Sequence, residues 1–473
     1  MRLNENGSVA EQGLKKTRKG HNVTANIKTD QVRPGRAASL RHSGFAILAA
    51  ASLLAGCAEP DIILPGERLD IRGAAAGAAT FVNENRAVIL RAPVANADWT
   101  HRNGGPTHRI AHPMLGTALA PLFSANIGSG DSRGLRITAD PVVLAGRIFT
   151  LDAQSQVMAT STAGQTLWAR SVTPVNDAAR DASGGGLAVT QNVLLASTGF
   201  GEVVALDPAT GGEIWRQDLD APGTSAPTIM GDLAYVVARD GRAWALELAS
   251  GRIRWTLSGT SPLSNFAGGA GAAVTPEIAI FPFPTGEVLA TFPEGGVRRW
   301  STVVTGQRPG QAASNISDIA GDPVIDGDRV FIGNVSGRVV ALNVANGDRI
   351  WTATEGAVGP VWPAGDSLFL VNDLGELLRL DAENGTPIWR VELPGFEESR
   401  PRRQKTRFAH YGPILAGGRL IVASGDGLIR QFDPASGALL GTLEIAGGAA
   451  SNPIVAGGVL YVVTRRAQLL AFR

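Results

Sequence analysis

Residues 205–215 of the 473-residue chain read ALDPATGGEIW, and the same phrase returns along most of the sequence. Each copy has an alternating apolar run, a short turn, a Gly in that turn, and a Trp four residues after the Gly. The copies end at Trp168, Trp215, Trp255, Trp300, Trp351 and Trp389, and in a seventh copy Gly441 replaces the Trp. A repeated phrase of this kind indicates an architecture built from equal units.

The spacing of the phrase predicts a β-propeller. Successive copies are 47, 40, 45, 51, 38 and 52 residues apart, and a mean near 45 is the length of one four-stranded blade. The apolar residues within each copy alternate with a period of two, which is typical of strands and excludes helical repeats. We therefore expect an all-β fold made of four-stranded antiparallel blades.

Each part of the phrase has a physical role. The Asp or Asn that opens the turn can accept hydrogen bonds from the backbone of the turn, and the Gly supplies a positive φ. We expect the repeated Trp side chains to pack between neighbouring blades rather than to stack on a ligand, and each indole N–H then needs an acceptor. The residues that open this turn in four of the copies are Asp207, Asn343, Asp381 and Asp433.

The blade count follows from the ends of the repeat. After the seventh copy, residues 451–473 supply about three strands, so a fourth strand must come from the N-terminal side. Trp99, which precedes Asn103-Gly104-Gly105, marks the predicted place of this closing strand. Residues 98–473 are thus expected to form an eight-bladed propeller closed by pairing N-terminal and C-terminal strands.

The N-terminal region carries an export signal. Residues 45–54 are uncharged and apolar, too short to cross a bilayer but long enough for the apolar core of a signal peptide. Leu54-Ala55-Gly56-Cys57 resembles the bacterial lipobox, which implies cleavage before Cys57 and lipid attachment to its sulfur. Ala58 follows, where Asp would imply retention in the inner membrane, so the resemblance implies an outer-membrane lipoprotein.

Three regions are therefore predicted. Residues 1–56 form a leader and lipoprotein signal peptide that is removed, and residues 57–97 form a tether, or an arm partly packed on the body. Residues 1–56 carry nine Lys or Arg against three Asp or Glu, and residues 57–473 carry 34 against 39. An acidic body argues against nucleic-acid binding, which depends on neutralising phosphates. Because Cys57 is the only Cys, no internal disulfide can form.

The repeat resembles that of pyrroloquinoline quinone (PQQ) type propellers. Together with the lipobox and the absence of a partner domain, it resembles the BamB family, in a form similar to that of α-proteobacteria. The resemblance implies a non-catalytic, lipid-anchored scaffold on the periplasmic face of the outer membrane. It also implies three kinds of partner: a BamA-like barrel-assembly subunit, the other components of the β-barrel assembly (BAM) complex, and unfolded outer-membrane protein clients.

Two alternatives remain open. A PQQ-dependent periplasmic dehydrogenase shares the propeller, but that family uses an adjacent Cys pair against the quinone, and this chain has one Cys. The positions that open the inner strands also read as apolar, Pro and small residues, so we expect no enzyme, no cofactor and no metal site. The other alternative is a propeller that binds a different envelope protein.

The resemblance extends to two loop residues. In the BamB family, contact with the BamA subunit is attributed to loops of the third to fifth blades. Leu263 and Asp318 match two of these positions, whereas Asn265, Phe266 and Ala320 depart from the family pattern. The alternative for Leu263 and Asp318 is ordinary loop packing and turn capping.

Two further clusters stand out. One is a basic run that would suit an acidic partner or lipid headgroups, although most such runs are solvated loops. It consists of Arg400, Arg402, Arg403, Lys405 and Arg407.

The other is a group of three His residues, His101, His108 and His112, within twelve residues of one another. No carboxylate falls among them, so a metal site is not expected there.

Overall fold

The computed structural model describes residues 81–473, apart from residues 222, 224, 262–268, 307, 309–315 and 317. Its regular elements are 32 β-strands and two 3-10 turns, Arg102–Gly104 and Pro401–Arg403. Within this part of the chain, no helix has the length and apolar character needed to pass through a bilayer.

The strands form eight four-stranded antiparallel sheets, as predicted, and each sheet is one blade of a propeller. Blades one and two contain β2 (Val142–Leu144), β3 (Arg147–Leu151), β4 (Gln156–Ser161), β5 (Thr166–Ser171), β6 (Gly185–Val189), β7 (Leu194–Thr198), β8 (Glu202–Leu206) and β9 (Glu213–Asp218). Blades three and four contain β10 (Thr228–Met230), β11 (Leu233–Val237), β12 (Arg242–Glu247), β13 (Ile253–Ser258), β14 (Ala273–Val274), β15 (Ala279–Pro282), β16 (Glu287–Thr291) and β17 (Arg298–Val303). Blades five and six contain β18 (Val324–Asp326), β19 (Arg329–Asn334), β20 (Arg338–Asn343), β21 (Arg349–Ala353), β22 (Trp362–Ala364), β23 (Ser367–Val371), β24 (Glu376–Asp381) and β25 (Pro387–Glu392). Blades seven and eight contain β26 (His410–Ala416), β27 (Arg419–Ser424), β28 (Leu428–Phe432), β29 (Leu439–Glu444), β30 (Ile454–Ala456), β31 (Val459–Val463), β32 (Gln468–Phe472) and β1 (Pro121–Asn126).

In blades one to seven the first strand lies innermost and the chain proceeds outward, and in blade eight β30 to β32 follow the same order with β1 added at the outer edge. Two faces of the disc follow from this order. The connection face carries the loops that join one blade's outer strand to the next blade's inner strand, such as residues 393–409 between β25 and β26. The turn face carries the short turns, such as residues 207–212 and 417–418.

The ring is closed by pairing an N-terminal strand with the C-terminal one, but the closing strand is not at Trp99. β1 pairs antiparallel with β32, from Pro121 opposite Phe472 to Asn126 opposite Gln468. The expectation that the closing strand lies near Trp99 is therefore wrong. Trp99 occupies the inside of the ring, because its backbone pairs with Val143 of the innermost strand of blade one.

The repeated Trp residues pack between blades, as predicted. Each indole Nε1 donates to a backbone carbonyl in the turn of the next blade, over distances of 2.8 to 3.2 Å. The pairs are Trp168 with Pro208, Trp215 with Leu248, Trp255 with Pro293, Trp300 with Val344, Trp351 with Ala382 and Trp389 with Pro434. The turn-opening side chains accept backbone N–H groups two residues ahead, as in Asp207 with Ala209 and Asp433 with Ala435.

Blade eight explains why Gly441 breaks the pattern. Its third and fourth strands, β32 and β1, come from separated parts of the chain, so no turn joins them. A Trp in blade seven would have no turn carbonyl to receive its N–H. On the other side of the closure, Phe123 of β1 takes the position that Trp has in the other outer strands. A Cβ on Gly164, the turn Gly of blade one, would come within 2.8 Å of the Phe123 ring, just as the turn Gly of the next blade lies against each Trp.

Candidate functional site

The inside of the ring is occupied by the protein's own residues 94–113, here called the hub segment. Its hydrogen bonds reach the inner strand, or the turn after it, in seven blades, almost in blade order. The contacts are Asn96 with Val455 and Gly457 (blade eight), Trp99 with Val143 (one), Thr100 with Val189 (two), His101 with Ile229 (three), Pro106 with Val274 (four), Thr107 with Ile325 (five) and Pro113 with Gly417 (seven). These contacts bind the N-terminal segment to nearly the whole ring.

Trp99 supplies the contact with the remaining blade. Its ring stacks on Trp362 of blade six, with centroids 6.4 Å apart and an interplanar angle of 19°. The side chain is completely buried. Trp99 therefore joins blade one, through its backbone, to blade six, through its ring.

The segment before the hub also lies on the propeller. Asn83 exchanges hydrogen bonds with the backbone of Arg390 in blade six. The fully buried Arg379 of β24 donates to the carbonyls of Arg86 and Ala87. Residues 83–87 of the predicted tether are thus fixed on blade six and reach Ala435 of blade seven.

Arg102 lies at the middle of the ring between two carboxylates. Its Nη1 is 3.3 Å from Oδ1 of Asp322, and its Nε is 3.5 Å from Oδ2 of Asp140. Asp140 precedes blade one and Asp322 precedes blade five, which are opposite blades of an eight-membered ring. The guanidinium therefore connects the two sides of the propeller through its centre.

Burial governs the charges of this cluster. Burial raises the pKa of Asp140, and this effect outweighs the lowering by Arg102 and by the two hydrogen bonds from Asn452. Burial also acts to lower the pKa of Arg102, but Asp322 and Asp140 together raise it above its usual value. Arg102 is consequently charged, and it balances carboxylates that would be costly to bury alone.

The three His residues of the hub segment bind backbone. Nε2 of His101 accepts the N–H of Ile229, and Nδ1 of His108 donates to the carbonyl of Pro323. Nε2 of His112 accepts the N–H of Gly418. Burial lowers the pKa of His101 to about 3 and also lowers that of His108. Among the described residues, no group of three or more His, Cys, Asp or Glu side chains is arranged to hold a metal ion.

Above Arg102, a funnel of about 560 Å³ opens towards the connection face. Its lining comes from blades five to eight and from the connection into blade one. Apolar side chains and Arg, Asp and His side chains share this lining. The apolar residues include Val358, Pro360, Val371, Leu374 and Phe408.

The predicted site residues fall in different places. Cys57 and Leu263 lie outside the described residues. Asp318 lies on the connection face and is only 2% exposed, with its carbonyl accepting the N–H of Val335. The basic run Arg400–Arg407 forms most of a hairpin on the same face, and its five charged side chains are exposed.

Sequence reasoning missed the central cluster. The inner-strand openings were expected to hold apolar, Pro and small residues, but Asp140, Asp322 and Asn452 occupy three of them. Each of the three precedes a Pro and a short apolar strand, as in Asp322-Pro323-Val324. A polar residue before Pro at the start of an inner strand was the available signal.

The fold and its interior define an eight-bladed propeller whose channel is filled from within by its own N-terminal segment. The family described as outer membrane protein assembly factor BamB matches residues 153–391 and 379–473. The chain therefore belongs to the BamB family.

Individual relatives agree with this assignment. The BamB of Shewanella oneidensis is 25% identical over 358 residues, which cover 73% of this chain and 87% of the relative. The BamB of Bordetella pertussis is 33% identical over 127 residues, which cover 27% of this chain and 28% of the relative. The crystal structure of BamB from Moraxella catarrhalis shares the fold, with a TM-score of 0.63 at 18% identity, and the match covers 75% of this chain and 100% of that one.

Enzymes share the same fold. A europium-containing methanol dehydrogenase has a TM-score of 0.60 at 14% identity, covering 77% of this chain and 89% of its own. At such low identity the likeness concerns the fold alone.

Proposed function

We propose that the protein is a non-catalytic scaffold of the outer-membrane β-barrel assembly (BAM) complex. Membership of the BamB family carries this proposal. A rigid ring whose interior is filled by its own chain suits a binding scaffold, because its loops are presented on a fixed frame. No catalytic residue is required.

The proposed anchor is a lipid on Cys57, with the propeller held on the periplasmic face of the outer membrane. Radiolabelled palmitate fed to the producing bacterium should label the wild-type protein. A Cys57→Ala variant should remain unlabelled and unprocessed. Equal labelling of both proteins would rule out Cys57 as the attachment site.

The proposed docking partner is a BamA-like barrel-assembly subunit, bound through connection-face loops of the third to fifth blades. Leu263 would supply an apolar contact there. Because Asp318 is almost fully buried, its part would be to hold the loop in shape rather than to touch the partner. Unfolded barrel clients would add strands to exposed outer blade edges.

Affinity isolation from solubilised outer membranes tests the docking. The barrel-assembly subunit should copurify with the wild-type protein and be depleted with Leu263→Arg or Asp318→Ala. Matched controls are Leu440→Arg on β29 and Asp328→Ala on the turn face, both at exposed positions. Enrichment of a different envelope protein in place of the barrel-assembly subunit would instead support the alternative of a propeller that binds another envelope partner.

The dehydrogenase alternative is less well supported. The chain has a single Cys, and the two carboxylates at the centre of the ring are engaged by Arg102. Quinone absorbance retained by the purified protein after incubation with PQQ and calcium would favour the enzyme.

A further inference from the structure

The loop between blades six and seven is a basic hairpin that stands beside the funnel. The N–H of Glu397 donates to the carbonyl of Thr406, and the N–H of Phe408 donates to that of Gly395, both at 3.0 Å. These bonds pair the two sides of the segment 394–409, here called the basic hairpin. Its base lines the funnel through Pro394, Gly395 and residues 407–409.

The cations of the basic hairpin lack carboxylate partners within the described part of the chain. Arg400, Arg402, Arg403 and Lys405 are exposed and form no ion pair with any described Asp or Glu. Arg407 lies over the ring of Phe396 at 5.1 Å and donates to the carbonyl of Asp373. Neighbouring arginines behave differently, since Arg308 and Arg390 both pair with the buried Glu355.

The basic hairpin is positively charged, whereas the body of the protein carries a net negative charge. Residues 57–473 carry an excess of five acidic residues, yet this one loop gathers five cations beside two Glu. Like charges gathered in one loop repel one another and create a local positive potential. Such a cluster indicates attraction of an acidic ligand.

The funnel supplies the second half of a binding surface. Val358 is 41% exposed and is one of the apolar residues that line it. Tyr411 also lines the funnel. Burial raises the pKa of its phenol to about 12, so the hydroxyl keeps its proton and can donate a hydrogen bond. An apolar side chain can enter between these groups while acidic neighbours remain at the rim.

We propose that the funnel and the basic hairpin together bind an extended acidic segment of a partner protein. One apolar side chain of that segment enters the funnel beside Val358, and its carboxylates lie along Arg402, Arg403 and Lys405. A concave apolar funnel beside the cations suits a peptide side chain better than the surface of a membrane. The groups that carry this proposal, Val358 and the basic hairpin, lie in the connections into blades six and seven, whereas Asp318 lies in the connection into blade five.

A synthetic acidic peptide tests the proposal on the full-length protein. The probe is fluorescein-labelled Asp-Glu-Leu-Asp-Phe-Asp-Glu-Leu, and fluorescence anisotropy gives its Kd at low and at physiological salt. We expect saturable binding that weakens with salt. Reversing two charges in Arg402→Glu/Arg403→Glu should weaken binding about tenfold or more, and Val358→Asp should do the same by placing a carboxylate in the funnel.

The matched control is Arg298→Glu/Arg299→Glu, an exposed pair of adjacent arginines on β17 of blade four. It should leave the Kd within about twofold of the wild type, since its charges lie far from the site. Equal loss in both charge-reversal variants, full binding by Val358→Asp, or no saturable binding would overturn the proposal. Tight binding to anionic phospholipid vesicles without binding to the peptide would overturn it in favour of a membrane contact. None of these outcomes depends on whether a barrel-assembly subunit binds through Leu263.

Discussion

The indole nitrogen of Trp389 in blade six lies 3.1 Å from the carbonyl oxygen of Pro434 in blade seven. The ring is completely buried and packs on Phe369 at a centroid distance of 6.0 Å. The hydrogen bond joins blade six to blade seven, while the packing on Phe369 fixes the indole within blade six. Since the same relationship recurs in five other blades, it stabilises the ring as a whole.

We expect Trp389→Ala to destabilise the protein by about 3–5 kcal/mol, because it leaves a large cavity and an unpaired carbonyl. Trp168→Ala should cost clearly less, since Trp168 is only half-buried. Chemical denaturation followed by circular dichroism gives both values. Equal losses for the two variants would show that burial of the indole is not the source of the stability.

A second prediction separates two roles of the turn glycines. Gly437 has a φ of +73°, and a Cβ there would come within 2.9 Å of Trp389. Gly375 has a φ of +84°, with nothing within 4 Å of its Cβ position. Gly375→Ala therefore measures the cost of the backbone conformation alone, about 1 kcal/mol.

Gly437→Ala should cost about 1–3 kcal/mol more than Gly375→Ala, because its methyl group overlaps the indole. The same denaturation measurements give both values. If the two substitutions cost the same, the close approach of Gly437 to Trp389 has no energetic consequence.

The blades could be predicted from sequence because each is a local unit. Asp207, Gly211 and Trp215 lie within nine residues of one another, and each does its work in its own turn or against the next blade. The closure could not be placed in this way, since β1 pairs with a strand more than 300 residues away. Phe123 was a signal for it, but one aromatic residue outside a repeat is weak evidence.

The centre of the ring was still less predictable. Arg102 comes from the hub segment and Asp140 and Asp322 from opposite sides of the closed ring, so no spacing in the sequence predicts that they meet. The sequence predicts the wrong place for Trp99, because a Trp near the start of the repeat resembles those that pack between blades. It instead packs on Trp362 inside the ring.

The central ion cluster leads to a third prediction. Arg102→Met should destabilise the protein by about 3–5 kcal/mol, because two buried carboxylates lose their counter-ion. Adding Asp322→Asn should restore part of the loss, since one of those charges is then removed. A double-mutant cycle in chemical denaturation should give a coupling energy of about 1–3 kcal/mol. Strict additivity would show that Arg102 and Asp322 do not interact energetically.

The buried His101 gives a dependence on pH. Its pKa falls from the model-peptide value of 6.5 to about 3 in the folded protein, so between these values the unfolded chain binds the additional proton. Stability is therefore fully present above about pH 6.5 and is lost as the pH falls towards 3. At pH 5 the loss from His101 should be on the order of 2 kcal/mol relative to pH 7.

His101→Gln tests this, because Gln can still accept the N–H of Ile229 but does not titrate in this range. We expect its free energy of unfolding to change less between pH 7 and pH 5 than that of the wild type. An exposed substitution, Thr442→Ala, serves as the control and should follow the wild-type curve. Parallel curves for His101→Gln and the wild type would place the acid sensitivity elsewhere.

The assembly function is tested most directly by reconstitution. Proteoliposomes containing a purified barrel-assembly subunit are supplied with an unfolded outer-membrane protein, and insertion is measured as the protease-protected fraction over time. Adding the full-length protein should increase the rate of insertion, and Leu263→Arg should remove that increase while Leu440→Arg retains it. An unchanged rate, together with no detectable association between this protein and the barrel-assembly subunit, would contradict the proposed role.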